Sequence, residues 1–209
     1  MKKSEIICID GTVGIGKSTL AAYMSERTGF PVFEEPVVNN PFLPIYYDNI
    51  SRWSFATQIY FLNERFKMIK EAETKFEGRP VIMDRSIYGD EIFARYLNHR
   101  GEMTDLEYET YHNLLDNMLE HVANPKVMIH IKTDSIERVK KNIVKRGRDY
   151  ELGVDIGYWK GLMEQYHEYF KTYSRSPLIE YDVTDIDFVD SSDDRESLIS
   201  SICEEIGNL

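Results

Sequence analysis

Residues 11–18 read Gly-Thr-Val-Gly-Ile-Gly-Lys-Ser, which fits the phosphate-binding pattern of Gly, any four residues, Gly, Lys and then Ser or Thr. The run 5–10 before them predicts a buried parallel strand, and residues 19–27 predict an amphipathic helix. Glycines between a strand and a helix N-terminus let backbone N–H groups turn toward phosphate oxygens. The stretch therefore predicts a loop that binds a nucleoside triphosphate, with a chance glycine-rich turn as the alternative.

Two side chains of this loop have the chemistry to handle a triphosphate and its metal. Lys17 is predicted to reach the β- and γ-phosphates, and the Ser18 hydroxyl to hold Mg²⁺. ATP or another nucleoside triphosphate is therefore the expected phosphate donor. The predicted ATP-binding residues of this region are Gly11, Thr12, Val13, Gly14, Ile15, Gly16, Lys17, Ser18 and Thr19.

Charged residues follow the second and third predicted strands. Pro36 biases Glu35 toward an extended conformation, so a carboxylate is held where it could accept a proton from a hydroxyl that attacks the γ-phosphate. Asp84 ends an apolar strand, where an acid could orient Mg²⁺ or its waters. Arg85 could clamp the charge that develops on the transferred phosphoryl group. A solvated acid at Glu35 and a structural Asp84–Arg85 pair remain the alternatives.

A long helix is predicted over residues 51–72. Its apolar residues recur at intervals of three and four and are predicted to face the core as a narrow stripe: Phe55, Ile59, Leu62, Phe66 and Ile69. Gln58 and Arg65 lie two turns apart at one predicted edge of this stripe. An amide there could read the edge of a nucleobase with help from an arginine, although both could simply be solvated.

A basic segment stands out in a chain of net charge −11. Lys141, Lys145 and Arg148 share one helical face by their spacing. We predict a lid over about residues 141–152, in which Gly147 is a possible hinge and Arg146 and Arg148 close on ATP. A solvated helical face is the alternative.

The 209 residues predict a single domain. Strand-like runs at 5–10, 31–34, 80–84, 126–132 and 178–183 alternate with helical stretches, which indicates an α/β fold with about five parallel strands and helices on both faces. The carboxyl ends of such strands lie at one edge, so the loop, Glu35 and Asp84 should be neighbours. Helix starts are predicted at Thr104 with Glu107 and at Asp134 with Glu137.

The composition disfavours several classes of partner. A strongly negative chain repels nucleic acids and anionic membranes, and we expect neither as a partner. No signal peptide and no apolar run of 18 residues is evident. Cys8 and Cys203 are expected to be small buried hydrophobes in a reducing compartment, so we expect a cytoplasmic protein. The five histidines lack metal-ligand spacing, so Mg²⁺ carried with the nucleotide is the metal expected.

Taken together, these motifs resemble the deoxynucleoside kinase family, in particular its bacterial deoxyadenosine and deoxyadenosine/deoxycytidine kinases. The resemblance covers nearly the whole chain. It rests on residues 11–18, Glu35-Pro36-Val37, Arg52-Trp53-Ser54-Phe55 with Gln58 and Arg65, Asp84-Arg85-Ser86 with Asp90, and Arg146-Gly147-Arg148 with Glu151. It implies a P-loop nucleoside/nucleotide-kinase-like three-layer fold with a helical lid, and a homodimer. The implied reaction is Mg-dependent transfer of the γ-phosphoryl of ATP to the 5′-hydroxyl of a deoxynucleoside, as in nucleoside salvage.

The resemblance also implies a role for each matching residue. Lys17, Glu35, Asp84 and Arg85 form the catalytic set, with Glu35 near the 5′-hydroxyl as the base and Asp84 as the other candidate for base or for Mg²⁺ coordination. The implied acceptor site consists of Glu35, Tyr47, Gln58, Arg65, Arg85, Asp90, Phe93 and Glu151. Of these, Gln58, Arg65 and Asp90 would read the base, Phe93 would stack on it, and Tyr47 and Glu151 would hold the 3′-hydroxyl. Residues 182–188 would contact the donor adenine. Where relatives often carry a further lid arginine, this chain has Asn142, with Lys141 and Lys145 as substitutes.

Two other functions fit parts of the pattern. A deoxynucleoside monophosphate kinase of the thymidylate kinase type shares the loop, an Asp-Arg element and a lid, but typically has Arg-Glu-Pro-Gly-Gly. Here Glu34 replaces that arginine and would repel an acceptor phosphate. A non-catalytic nucleotide-binding switch should show Asp-x-x-Gly and Asn-Lys-x-Asp, which are absent. We expect deoxyadenosine as the preferred acceptor, with deoxycytidine and deoxyguanosine as alternatives.

Overall fold

A computed structural model describes residues 5–35 and 40–207. Pro36 and Val37 of the predicted Glu35-Pro36-Val37 element lie outside the described residues. The described chain forms a five-stranded sheet in the order β2-β3-β1-β4-β5, with every neighbouring pair parallel. The strands are β1 (Glu5–Asp10), β2 (Val32–Phe33), β3 (Pro80–Asp84), β4 (Val127–Lys132) and β5 (Leu178–Asp182). The predicted parallel sheet is confirmed, although β2 is shorter than expected.

Helices connect the strands and cover both faces of the sheet. They are α1 (Lys17–Thr28), α2 (Leu43–Tyr46), α3 (Ile50–Lys75), α4 (Ile87–His99), α5 (Asp105–Leu119), α6 (Ile136–Arg146), α7 (Asp149–Leu152), α8 (Ile156–Phe170) and α9 (Ser192–Gly207). Over the described residues, none of these helices has the length and apolar character needed to cross a membrane.

The core consists of two apolar clusters on opposite faces of the sheet. Successive residues of a strand point to opposite faces, and in β1 the side chain of Ile6 joins one cluster while that of Ile7 joins the other. The first cluster contains buried residues of α3, α4, α5, α6 and α8, and the second contains those of α1 and α9. The predicted arrangement of three layers is therefore confirmed.

The predicted buried face of α3 was rotated from the observed one. Leu62 and Ile69 are buried, but Phe55, Ile59 and Phe66 are only partly buried. The buried face instead includes Ser54, Thr57, Gln58 and Arg65. The prediction that Gln58 and Arg65 lie at an edge was therefore wrong. An apolar periodicity cannot locate this face, because α3 turns polar side chains toward the interior at the cleft.

One of the two predicted helix caps is confirmed. At α5, Thr104 and Glu107 form a reciprocal capping box. At α6 the N-cap is Ser135, whose hydroxyl accepts a hydrogen bond from the Arg138 backbone N–H, so the prediction of Asp134 was wrong by one residue. The Asp134 backbone N–H donates to the Thr184 hydroxyl at 3.1 Å, which holds Asp134 before the helix begins.

Candidate active site

A cavity of about 290 Å³ lies where the carboxyl ends of the strands meet α3, α4 and the α6–α7 segment. Most of the predicted site residues border it. They are Val13, Gly14, Gly16, Lys17, Ser18, Thr19, Glu35, Tyr47, Gln58, Arg85, Asp90, Phe93, Arg146, Arg148 and Glu151. Gly11, Thr12, Ile15, Arg65 and Asp84 are buried behind this lining.

The loop at residues 11–18 has a backbone that other residue types would resist. Gly11 and Gly16 have φ angles of 150° and 110°, which L side chains rarely adopt. A Cβ at Gly16 would lie 2.7 Å from Cζ of Phe188, and one at Gly11 would lie 2.3 Å from the Ile131 carbonyl oxygen. The glycines therefore allow both the turn and its close packing on the sheet.

Lys17 lies along this loop. Its Nζ donates to the carbonyl oxygens of Gly11 and Thr12 at 2.8 and 2.9 Å. Burial, followed by the nearby charge of Arg85, lowers the pKa of Lys17 to about 7. An anion bound in the cavity would stabilise the charged ammonium, which is the expected behaviour of a phosphate-binding lysine.

Asp10 connects the loop to the turn after β3, and the sequence prediction missed it. Its Oδ1 accepts a hydrogen bond from the Gly11 N–H at 2.9 Å, and its Oδ2 accepts one from the Ser86 N–H at 3.0 Å and another from the Ser86 hydroxyl. The available signal was that Asp10 ends an apolar strand, just as Asp84 does. Asp10 therefore helps to place the loop beside the Asp84–Arg85 turn.

Ser18 and Asp84 provide oxygen ligands suited to Mg²⁺. The Ser18 hydroxyl donates to Asp84 Oδ2 at 2.5 Å, while Asp84 Oδ1 is buried and has no hydrogen-bond partner among the described residues. Burial and the charge of Glu35 raise the pKa of Asp84, against the effects of Lys17 and Ser18. Within residues 5–35 and 40–207, no group of three or more His, Cys, Asp or Glu could hold a metal by itself. The pair therefore fits a Mg²⁺ that takes its remaining ligands from phosphate and water.

A cluster of paired charges lies next to this pair. Arg85 Nε donates to Glu35 Oε1 at 2.5 Å, and Arg65 Nη2 lies 3.7 Å from the same oxygen. Arg65 Nε donates to Asp90 Oδ2 at 3.3 Å, and its Nη1 donates to the Asp84 carbonyl oxygen at 3.0 Å. Arg65 is fully buried. These contacts bring together residues from α3, α4 and the ends of β2 and β3.

The cluster sets the protonation of its acids. Burial alone would raise the pKa of Glu35, but the charges of Arg85, Arg65 and Lys17 outweigh it and lower the pKa to about 2. Glu35 is therefore ionised at neutral pH. Asp90 differs, because burial raises its pKa and the neighbouring arginines only partly offset this.

Arg85 has an unusual backbone conformation. Its φ of 77° is the one positive φ of a non-glycine residue in the described chain, and such conformations cost about 1–3 kcal/mol. The Arg85 N–H donates to the Ile9 carbonyl oxygen at 2.9 Å, which holds the turn against β1. The surrounding structure therefore fixes the direction in which this side chain leaves the backbone.

The other end of the cavity combines an amide with apolar and aromatic residues. Gln58 borders it from α3, Phe93 from α4 and Tyr47 from the residue after α2. Phe61 also borders it and was missed. Its position between Gln58 and Arg65 on one helical face could have indicated it. Further lining residues that the sequence did not indicate are Leu43, Tyr46, Thr57 and Val189.

The predicted lid region forms two helices that meet near Gly147. Gly147 ends α6 with a φ of 69°. Arg146 and Arg148 both pair with Glu151 of α7, the latter at 3.4 Å. Asn142 donates from Nδ2 to the Gly14 carbonyl oxygen at 2.7 Å, so an amide connects α6 to the loop.

Of the remaining residues predicted on the donor side, one borders the cavity and the others do not. Lys145 borders the cavity and pairs with Asp190 at 2.9 Å, while Lys141 is exposed. Phe188 packs against Gly16, yet no residue of 182–188 borders the cavity, whereas Val189 does. Adenine contact by residues 182–188 stays a prediction.

Comparison with known proteins identifies the family. Residues 7–207 match the deoxynucleoside kinase family. This chain belongs to that family. The kinase is 36% identical over 208 residues to the deoxyadenosine/deoxycytidine kinase of Bacillus subtilis. This match covers 98% of this chain and 94% of that protein. It is also 36% identical over 213 residues to the deoxyguanosine kinase of Lactobacillus johnsonii, with 98% and 93% of the two chains covered.

A solved structure agrees with the sequence comparison. The kinase superposes on the deoxyadenosine kinase of M. mycoides, determined with dCMP and dCDP, with a TM-score of 0.84 at 30% identity over 98% of this chain and all of that one. The predicted family, the P-loop kinase-like α/β fold and the assignment as a deoxynucleoside kinase are thereby confirmed. The relatives' names differ in the base of the nucleoside, so base preference is a separate question.

Proposed function

We propose that this kinase transfers the γ-phosphoryl of ATP to the 5′-hydroxyl of a deoxynucleoside, with deoxyadenosine as the preferred acceptor and deoxycytidine and deoxyguanosine as further candidates. One observation carries the proposal: a single cavity is bordered both by the phosphate-binding loop and by Glu35, Arg85, Gln58 and Asp90. The two groups of residues suit a phosphate donor and a neutral acceptor that meet at Arg85.

On the donor side, the loop amides and Lys17 bind the phosphates, and Arg146 and Arg148 approach them from the lid. Ser18 and Asp84 would hold Mg²⁺, which when bound neutralises charge on the β- and γ-phosphates. The pairing of both lid arginines with Glu151 supports a lid that exchanges this contact for contacts with the donor.

On the acceptor side, Glu35 is the proposed base. It borders the cavity and is ionised, whereas Asp84 lies behind the lining and shares a hydrogen bond with Ser18. The proton of the 5′-hydroxyl would pass to a Glu35 carboxylate oxygen as the hydroxyl attacks. Arg85 raises the acidity of Glu35 in the free enzyme, so a shift of Arg85 toward the phosphoryl group would make Glu35 a stronger base.

Base and sugar recognition follow from the far end of the cavity. The Gln58 amide can donate and accept at once, as the edge of adenine requires. Phe93 would stack on the base, and Arg65 would keep Asp90 oriented. Tyr47 and Glu151, which both border the cavity, would hold the 3′-hydroxyl.

A competition assay tests the proposal. The kinase is offered ATP, Mg²⁺ and an equal mixture of the four deoxynucleosides, and the products are identified by mass. We expect deoxyadenosine 5′-monophosphate to form fastest. A separate ADP-release assay compares deoxyadenosine with its monophosphate. Faster turnover of the monophosphate would indicate a monophosphate kinase, and binding of ATP without ADP release in either assay would indicate a nucleotide switch.

We also propose that the kinase is a cytoplasmic homodimer. Both cysteines are free, which suits a reducing compartment. Phe55 and Ile59 of α3 are only partly buried within one chain, so they offer apolar surface to a second copy. Light scattering coupled to size-exclusion chromatography should give twice the mass of 24.5 kDa. A mass of one chain at micromolar concentration would contradict the dimer.

A further inference from the structure

Tyr166 on α8 touches the guanidinium of Arg85 from behind. Its hydroxyl accepts a hydrogen bond from Arg85 Nη1, and its side chain is fully buried. Tyr166 does not border the cavity, whereas Arg85 does. Tyr166 therefore contacts the arginine without reaching the space that the substrates would occupy.

Two aromatic rings flank this guanidinium. Arg85 Cζ lies 5.1 Å from the ring centre of Phe93 and 5.9 Å from that of Tyr166. The two rings meet edge to face, 6.3 Å apart. Rings at these distances attract a cation and restrict its movement. Glu35 binds Nε and Tyr166 binds Nη1, so two separate partners fix the plane of the guanidinium.

We infer that Tyr166 is a positioning residue, whose hydroxyl orients Arg85 for contact with the transferred phosphoryl group. The inference rests on the proposed function, in which Arg85 clamps that group. Arginine binds phosphate through donors in a fixed planar arrangement, so a rotated guanidinium would meet the phosphoryl group in the wrong geometry. Burial raises the pKa of Tyr166 well above its ordinary value, and the phenol is therefore protonated at neutral pH.

The test is Tyr166→Phe, which keeps the ring and removes the hydroxyl. We expect kcat to fall about 10- to 100-fold, the loss typical of a misplaced catalytic group. The KM values for ATP and deoxyadenosine should change less than about threefold, because the hydroxyl does not face the cavity. Tyr169→Phe is the matched control. It removes a phenol of the same helix that donates to Glu91 at 3.3 Å, and it should leave kcat unchanged.

A double-mutant cycle separates positioning from general stability. If Tyr166 acts through Arg85, Tyr166→Phe should lower kcat no further in an Arg85→Ala enzyme. An equal fall in both backgrounds would show a structural role and overturn the inference, as would a Tyr166→Phe enzyme with the wild-type kcat.

A nuclear magnetic resonance measurement makes the inference testable apart from activity. The Arg85 Nη1–H signal, assigned by its loss in Arg85→Ala, should be slow to exchange in the wild type, where this group donates to Tyr166, and faster in Tyr166→Phe. An unchanged exchange rate would refute the positioning role. Absence of deoxynucleoside phosphorylation by the wild type would refute the proposed function, whatever this signal shows.

Discussion

The phosphate-binding loop and the charged cluster opposite it border the same cavity but are constructed differently. The loop is one continuous stretch, Gly11 to Ser18, in which backbone groups and glycine conformations make the site. The charged cluster is assembled from separate elements, and its contacts join residues 25 and 50 positions apart, as in Arg65–Asp90 and Arg85–Glu35. The first site depends on the local backbone, and the second depends on the balance of buried charges.

The charge balance explains why the second site should be the more sensitive one. Three cations, Lys17, Arg65 and Arg85, lie among three carboxylates, Glu35, Asp84 and Asp90. Removing one partner of a buried pair leaves an uncompensated charge and is costly. Substitutions of the loop glycines should therefore affect the donor alone, whereas substitutions in the cluster, which includes Lys17, should affect catalysis and stability together.

Arg85→Ala should have the largest effect. We expect kcat for deoxyadenosine to fall by about 10³- to 10⁵-fold, because a positively charged clamp on the phosphoryl group is worth that much. Steady-state kinetics with saturating ATP measure it. Arg79→Ala, which removes an arginine exposed on the surface, serves as the control. A weaker ATP affinity with an unchanged kcat would place Arg85 on the donor side instead.

Glu35→Gln should come next. A general base contributes about 10²- to 10⁴-fold, and we expect kcat to fall within that range while ATP binding persists. The neighbouring Glu34 is exposed, so Glu34→Gln is a matched control and should leave kcat unchanged. If Asp84→Asn abolishes proton transfer while Glu35→Gln retains full activity, Asp84 is the base.

The dependence of folding stability on acidic pH should reveal the Glu35 carboxylate. The pKa of Glu35 is about 2 in the folded protein against an ordinary 4.5. Ionised Glu35 therefore stabilises the fold above pH 4.5, and this contribution is lost as the pH falls toward 2. Its full size is about 3 kcal/mol. Urea titrations measure the free energy of unfolding. Between pH 7 and pH 3, this free energy should fall by about 2 kcal/mol more in the wild type than in Glu35→Gln.

A contrary result would be equally clear. If the free energy of unfolding changes with pH in the same way in the wild type and in Glu35→Gln, the Arg85–Glu35 pair does not hold the carboxylate ionised. The cluster would then not depend on a balance of buried charges. Glu34→Gln should follow the wild-type profile.

Gly16→Ala should have the smallest effect, and one limited to the donor. The new methyl group would contact Phe188, and the φ of 110° disfavours alanine. We expect the KM for ATP to rise about tenfold, the equivalent of about 1.4 kcal/mol, with an unchanged KM for deoxyadenosine. Gly29 also has a positive φ, of 73°, but there is open space around it. Gly29→Ala is therefore the control and should leave the KM values for ATP and deoxyadenosine unchanged. Equal changes in both KM values would contradict the separation of the loop, which serves the donor, from the cluster, which serves the acceptor.

Most of the fold was predictable because its signals are local. The short apolar runs of the strands and the Thr104–Glu107 capping box depend on neighbouring residues, and the structure agrees with them. The orientation of α3 was not predictable in this way. The apolar periodicity selected Phe55, Ile59 and Phe66, whereas the fold buries Gln58 and Arg65. Arg65 is buried because it pairs with Asp90 and Glu35 on other elements.

The sequence by itself predicted a loop for a triphosphate and placed this protein among P-loop kinases. The reason is that a phosphate site made of consecutive backbone groups is encoded by consecutive residues, here Gly11 to Ser18. Only the tertiary structure decided which acids pair with Arg65 and Arg85, and that Asp10 and Tyr166 support the site. These contacts depend on the strand order β2-β3-β1-β4-β5 and on helix packing. The spacing of residues along the sequence does not show which strands or which helices will be neighbours.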